Sequence, residues 1–194
     1  MGTFDYVMTL VSVVVGLGLT HALGALGGAV HRLRGNGEPI RLEAIYLLWL
    51  AFVLVWLVSF WWWEYKLHEI AIRWTYGIYL FILGYATLLF LTVVILVPRN
   101  MAGIHDTYVH FMSVRRWFFS ALVTVNVFDV ADSALKSWDW ALRPDYLAQV
   151  GIFMVGAIIG MRSESRTVQL WNAVLMFALQ IGYTWVQLDI LGTW

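Results

Sequence analysis

The stretch LEAIYLLWLAFVLVWLVSFWWWEY, residues 42–65, is typical of a helix that crosses a lipid bilayer. Its apolar run is about 20 residues long, the length that a helix needs to span the hydrocarbon core. Similar runs recur along the chain, which has 194 residues, of which 61% are hydrophobic and only 12% charged. So few charges could not cover a soluble domain of this length. The sequence therefore predicts an integral membrane protein.

Six such runs predict an all-α, polytopic bundle of six transmembrane helices, forming a single domain over residues 1–194. Pro39, Pro98 and Pro144 all lie between the runs, as expected of a residue that breaks helix interiors. The longest loop, residues 99–115, has room for a short interfacial helix. The predicted spans cover residues of about 4–30, 42–65, 74–97, 116–136, 146–161 and 168–191.

Arginine and lysine are unevenly distributed between the two sides of such a bundle. Because cytoplasmic loops are enriched in these residues, we expect both termini outside the cytoplasm, in a bacterial-type inner (plasma) membrane. No Lys or Arg precedes the first apolar run, which favours a retained span over a signal peptide. The predicted cytoplasmic side carries Arg32, Arg34, Arg41, Arg99, Arg115, Arg116, Arg162 and Arg166, and the other side carries Lys66, Arg73, Lys136 and Arg143.

Composition also excludes several classes of function. The net charge is zero and no basic run is present, so nothing indicates a nucleic acid partner. The chain has no cysteine, which excludes disulfides, thiol catalysis and thiolate metal sites. No protease, hydrolase or phosphate-loop motif occurs. We therefore predict no catalytic residues and no enzymatic activity.

Histidines are the remaining candidates for a cofactor. His21, His105 and His110 fall on the predicted cytoplasmic half and are weak candidates for metal or haem ligands. Ligation would require two of them to converge from different segments. Ordinary hydrogen-bonded or solvated histidines explain them more simply, so no cofactor is predicted.

The first span carries small residues at every fourth position. Positions four apart share one helix face, and small side chains on it let another backbone approach closely. This face either packs within the same bundle or forms a seam between copies of the chain. Its residues are Ser12, Gly16, Thr20, Gly24 and Gly28.

Polar residues cluster in VNVFDVADSALK, residues 125–136, at the outer end of the fourth span. At 100° per residue they share an arc of about 120°, which should face the bundle interior or a wet cavity. Asp132 and Lys136 have the spacing and order of a helical ion pair. Either this polar cluster is the polar end of a span, with Lys136 reaching the headgroups, or the cluster lines a vestibule open to the outside. The residues are Asn126, Asp129, Asp132, Ser133 and Lys136.

The sixth span carries a second polar stripe, within about 80° of arc. It could face the fourth span and extend a wet path inward, or hold interhelical hydrogen bonds. Its residues are Asn172, Gln180, Thr184 and Gln187.

Seven tryptophans map to the predicted outer leaflet, where they would form a headgroup belt or a partner-binding surface. They are Trp61, Trp62, Trp63, Trp74, Trp138, Trp140 and Trp194.

Two functions fit these patterns. The first is a homo-oligomeric channel or transporter for a small ion or solute, with a polar path lined by the fourth and sixth spans. The alternative is a non-catalytic subunit or scaffold of a larger membrane complex, such as a respiratory or photosynthetic one. The expected partners are the lipid bilayer and either further copies of the chain or other membrane subunits.

Overall fold

The computed structural model describes residues 2–35, 38–70, 73–98, 101 and 103–188. Eight helices lie in this part of the chain. They are α1 (Thr3–Leu33), α2 (Ala44–Trp63), α3 (Lys66–Glu69), α4 (Tyr76–Leu96), α5 (Thr107–Lys136), α6 (Trp138–Ala141), α7 (Pro144–Arg162) and α8 (Arg166–Leu188).

The helix α2 lies at the centre of the bundle. It is apolar on every side, the pattern of a helix that is surrounded by others. It packs against α1, α4, α5 and α8, and α7 packs between α5 and α8. Trp49, Val53 and Leu57 are buried along it. The apolar stretch of residues 42–65 thus contributes much of the core of the bundle.

Within the described ranges, five helical segments are long and apolar enough to cross a membrane: α1, α2 with α3, α4, α5 and α7. The prediction of an all-α, multi-pass membrane bundle is confirmed. The sixth predicted span corresponds to α8, which has 23 residues, but no 18-residue stretch of it is as apolar as the best stretch of each of the other five. Its role as a sixth span stays a prediction, and residues 189–191 of that span lie outside the described ranges.

One predicted boundary is wrong. The span expected from residue 116 is part of a 30-residue helix that already begins at Thr107. Asp106 starts it early, because its carboxylate accepts hydrogen bonds from the backbone N–H groups of Tyr108 (2.8 Å) and Val109 (3.1 Å). The loop expected to hold a separate interfacial helix therefore holds the first turns of α5 instead.

The bundle has two chemically different ends. At the arginine end, α1, α4 and α7 finish and α2, α5 and α8 begin; it carries Arg32, Arg41, Arg115, Arg162 and Arg166. At the opposite end, which we call the α6 end, the short helices α3 and α6 follow α2 and α5.

Glycines let α7 pack closely near the arginine end. A Cβ built on Gly160 would lie 2.1 Å from Cζ of Phe119 on α5. A Cβ on Gly156 would lie 2.5 Å from Cε of Met176 on α8. Real side chains do not approach so closely, so these two positions bring α7 against both neighbours.

Candidate functional site

A cavity of about 60 Å³ lies in the half of the bundle nearest the α6 end. It has room for a few water molecules or a small ion, since one water needs about 10–15 Å³. Side chains from α2, α4, α5, α6, α7 and α8 converge on it. Its polar lining consists of Ser59, Tyr85, Asn126, Asp129, Ser133, Tyr146, Gln149, Gln180, Tyr183 and Thr184.

Asp129 is the only carboxylate among the side chains that line this cavity. The hydroxyl of Tyr85 on α4 donates to its Oδ1 at 2.8 Å, and that of Tyr146 on α7 donates to its Oδ2 at 2.8 Å. Within the described residues, no salt bridge reaches Asp129. Each carboxylate oxygen can accept a second bond, so the carboxylate is held in place by neutral groups while keeping capacity for a cation.

The local sequence of α5 places three polar side chains on this wall. Asn126, Asp129 and Ser133 follow each other at intervals of three and four residues, so they lie on one helix face. The amide nitrogen of Asn126 donates to the carbonyl of Leu122 at 3.4 Å. The polar face predicted for this segment points into the bundle, as expected.

Two further polar groups at the cavity have no hydrogen-bond partner in the part of the chain that the structure describes. They are Oε1 of Gln149 and the hydroxyl of Tyr183, which are both buried. Because buried polar groups are rarely left unpaired, these two are groups that water or a polar ligand in the cavity could bind.

Aromatic rings form the rest of the cavity wall. They come from Trp56, Phe60, Trp63, Trp140 and Phe153. The indole N–H of Trp56 donates to the hydroxyl of Tyr85 at 3.3 Å. The rings of Trp63 and Trp140 lie 5.0 Å apart between their centroids. The faces of such rings attract cations.

The predicted tryptophan belt is therefore only partly correct. Trp63 is buried and Trp140 lines the cavity, whereas Trp61 and Trp138 are exposed. Trp117 and Trp171, near the arginine end, are exposed too. Exposed tryptophans thus lie at both ends, as expected where two membrane interfaces are present. Trp194 lies outside the described residues.

Asp132 and Lys136 form the predicted ion pair, but they do not line the cavity. The Nζ of Lys136 contacts Asp132 and also lies 2.8 Å from Oε1 of Glu64. The three side chains, which we call the ion cluster, are fully buried. The interpretation in which Lys136 reaches the headgroups is wrong, because Glu64 at the end of α2 holds its ammonium inside the bundle.

Glu64, Tyr85 and Tyr146 contact the polar residues of α5, and sequence reasoning did not connect them to that segment. Each binds a residue of α5 from another helix, so no local spacing connects the partners. One signal was present for Glu64: it directly follows an apolar run, at the depth where the fourth span carries a lone lysine. Tyrosines carry no comparable signal.

The polar stripe of α8 divides into two parts. Gln180 and Thr184 line the cavity, where the hydroxyl of Thr184 lies 3.3 Å from that of Ser59. Asn172 instead donates to the carbonyl of Gly156 at 3.0 Å, and Gln187 donates to Asp145 at 3.0 Å. The stripe packs mainly against α2 and α7 rather than α5. Its inner part holds helices together and does not extend the cavity.

The small-residue stripe of α1 lies on the outside of the bundle. Ser12, Thr20, Gly24 and Gly28 are exposed, and Gly16 is half-buried. Among the described residues, none comes within 4 Å of a Cβ built on Gly16, Gly24 or Gly28. Ser12 alone is tied to the bundle, since its hydroxyl accepts a hydrogen bond from the indole N–H of Trp61 on α2 at 2.9 Å. The three glycines do not pack against the described chain, and the use of the stripe as a seam between copies stays a prediction.

Each of the three candidate histidines has its own contact. His21 Nε2 lies 2.7 Å from the carbonyl of Val97, and His110 Nε2 lies 3.0 Å from that of Leu96. Both thus bind carbonyls at the end of α4. His105 is exposed, with Nε2 3.7 Å from a carboxylate oxygen of Glu38. These contacts suit structural roles.

Comparison with protein-family models, with curated proteins and with solved structures found no match to the chain. Any function must therefore be argued from the cavity itself.

Proposed function

We propose that the protein is a transporter for a small monovalent cation, which binds in the cavity at Asp129. The observation that carries this proposal is a carboxylate, held by two tyrosine hydroxyls, that faces a cavity without a basic partner among the described residues. Charges at such depth are costly and usually mark an ion pathway.

The lining favours a monovalent cation over a divalent one. Divalent ions such as Ca²⁺ and Mg²⁺ bind mainly through carboxylates and several further oxygens. Here Asp129 supplies one negative charge, and the other oxygens belong to neutral groups such as Asn126, Gln149 and Gln180. A volume of about 60 Å³ suits a small ion.

A transporter is favoured over an open channel because aromatic side chains fill the core between the cavity and the arginine end. Trp49 lies 4.9 Å from Phe119 and 5.5 Å from Phe118, measured between ring centroids. Phe52 and Phe111 pack against the same group, and all five are buried. An ion would need a conformational change to pass this layer, which is how a transporter alternates access.

For orientation, we propose a bacterial-type inner membrane with the arginine end in the cytoplasm and both termini outside. The buried position of Lys136 supports this, because it leaves only Lys66, Arg73 and Arg143 among the four cations assigned to the other side. The chain has no cysteine, so single introduced cysteines can report sidedness. A cysteine at Ser163 should resist an impermeant thiol reagent in intact cells, and one at Asp139 should react.

We further propose that copies of the chain associate through α1. The exposed stripe around Gly24 and Gly28 supports this, since small side chains allow close helix contact in lipid. The same face favours the second candidate function, a non-catalytic subunit of a larger membrane complex. Native mass spectrometry after gentle extraction distinguishes the two: a homo-oligomer fits a transporter, and a heteromeric mass fits a subunit. Neither function assigns an enzymatic activity or a cofactor.

Uptake into proteoliposomes tests the transport proposal. We expect the purified protein to take up one of radiolabelled sodium, rubidium or methylammonium. Asp129→Asn should lower the rate about tenfold or more, since a lost contact to a charged group costs about 1.5–3 kcal/mol. Asp145→Asn, which alters an exposed carboxylate near the same end, should leave the rate unchanged. Absence of uptake for all three cations, or equal uptake by Asp129→Asn, would refute the proposal.

A further inference from the structure

The ion cluster contains more negative than positive charge. Lys136 Nζ lies 2.8 Å from Oε1 of Glu64 and also contacts a carboxylate oxygen of Asp132. Two carboxylates thus share one ammonium, and none of the three side chains is exposed. An unpaired charge in a site without water is far more costly than a paired one.

The remaining carboxylate oxygens have nothing to bind. Oε2 of Glu64 and Oδ1 of Asp132 are buried and make no hydrogen bond to any residue that the structure describes. Both belong to side chains that Lys136 draws to the same point. Two carboxylates that share one ammonium, each with an unpaired buried oxygen and with one surplus negative charge between them, form an arrangement that a single hydrogen ion would complete.

No neighbouring element of the described chain supplies the missing positive charge. On α3, the Nζ of Lys66 lies 3.1 Å from Glu69, and on α6, Asp139 is exposed. Trp63 faces Lys136 with its ring, the centroid 5.2 Å from Nζ. The other titratable groups around the cluster are neutral or acidic: Asp129 of α5, Tyr85 of α4, Tyr146 of α7 and Tyr183 of α8.

We propose that Glu64 and Asp132 together bind one proton, which makes the ion cluster a buried proton site next to the Asp129 cavity. The proton comes from water and converts one carboxylate into a carboxylic acid. The new O–H donates to an oxygen of the other carboxylate, so the surplus charge disappears and both unpaired oxygens gain a partner. Lys136 keeps its ammonium, balanced by the single carboxylate that remains.

The position of this site gives it a role in transport. Asp132 and Asp129 are three residues apart on α5, one helical turn along the same side. A cation at Asp129 and a proton at Asp132 therefore repel each other, so binding of one favours release of the other. This exchange rests on the proposed cation site, whereas the proton site does not.

Infrared spectroscopy of the purified full-length protein tests the proton site directly, because protonated carboxyl groups have a C=O stretching band that carboxylates lack. At neutral pH we expect one such band from a buried group. It should be lost in Glu64→Gln and in Asp132→Asn, and retained in Asp145→Asn. Carbon-13 labelling of glutamate or of aspartate in the unmutated protein should shift it, which keeps the test valid if a variant fails to fold.

Two results would overturn the proton site: a spectrum without a protonated carboxyl band at neutral pH, or a band that survives both substitutions. Loss of the band in Asp129→Asn alone would also overturn it, because the proton would then lie on Asp129. The band does not depend on uptake. A protein that shows the band but no cation uptake would support the proton site and contradict the proposed transport function. A protein that takes up a cation but shows no band would support transport and contradict the proton site.

Discussion

Each end of the bundle carries a cluster of charged residues, and the two clusters differ in charge balance and in exposure. At the arginine end, Glu43 lies between Arg41 and Arg166, and Arg41 also lies 3.8 Å from a carboxylate oxygen of Asp106, so two cations face two anions. At the α6 end, Lys136 lies between Glu64 and Asp132, so two anions share one cation. The side chains of Arg41 and Arg166 are 64% and 56% exposed, whereas those of the ion cluster are 0% exposed.

The comparison shows at which end of the molecule the charged side chains affect stability. At the arginine end the charges are balanced and both arginines are solvent-exposed, so the ion pairs there contribute little. No solvent reaches the surplus negative charge at the α6 end. That charge must be compensated from within, which is why the α6 end, with Asp129 one turn away, carries the proposed binding sites.

The largest expected effect follows from removing the only cation of the ion cluster. Lys136→Met leaves the two buried acidic side chains without their cation, and breaking a buried ion pair in this way costs about 3–5 kcal/mol. The free energy of unfolding, measured by denaturant titration in mixed micelles, should fall by that amount. A loss below about 1 kcal/mol would show that the cluster is hydrated and would remove the contrast between the two ends.

A smaller loss is expected where a tyrosine holds Asp129. Tyr146→Phe removes a hydroxyl that donates to the carboxylate, and a hydrogen bond to a charged group contributes about 1.5–3 kcal/mol. Tyr76→Phe is the matched control, because Tyr76 is exposed. In an Asp129→Asn background the cost of Tyr146→Phe should fall markedly. If the cost of Tyr146→Phe stays the same in that background, the side chains of Tyr146 and Asp129 are not coupled.

At the arginine end, packing should matter more than charge. Gly160→Ala forces a methyl group against Phe119 and should cost about 1–3 kcal/mol of unfolding free energy. Gly151→Ala on the same helix places its methyl where no described residue lies within 4 Å, so it should be neutral. Equal effects in thermal unfolding of the two variants would contradict the close packing of α7 on α5.

The smallest effect is expected at the exposed charges. Arg166→Met removes one of the two cations at Glu43, and exposed ion pairs contribute about 0–1 kcal/mol. The change in unfolding free energy should stay within that range, in the assay used for Lys136→Met. A loss as large as that of Lys136→Met would mean that both ends depend on buried charge.

The sequence predicted what depends on helical spacing within one segment. The polar face of α5 and the pair between Asp132 and Lys136 follow from intervals of three and four residues, and both are present. The partners Glu64, Tyr85 and Tyr146 could not be predicted, because they depend on how separate helices are rotated against each other. For the same reason the sequence revealed the small-residue stripe of α1 but not whether that stripe faces the inside or the outside of the bundle.

The α8 helix shows the same limit. Its amides predicted a polar face, and that face is buried, but spacing alone could not separate Gln180 at the cavity from Asn172 on a backbone carbonyl. The position of α7 decides which amide of α8 reaches the cavity and which binds a backbone carbonyl. Gly156 exposes its carbonyl to Asn172 because it lacks a side chain, and that contact ends the polar path that the stripe suggested.

Equilibrium binding of radiolabelled sodium, rubidium and methylammonium to the purified protein tests the central claim most directly. It requires no transport cycle and no oligomer. The account predicts saturable binding of one of these cations to the unmutated chain and to Asp145→Asn, with binding lost in a folded Asp129→Asn variant. Absence of binding for all three, or equal binding by Asp129→Asn, would contradict the assignment of the cavity as a cation site.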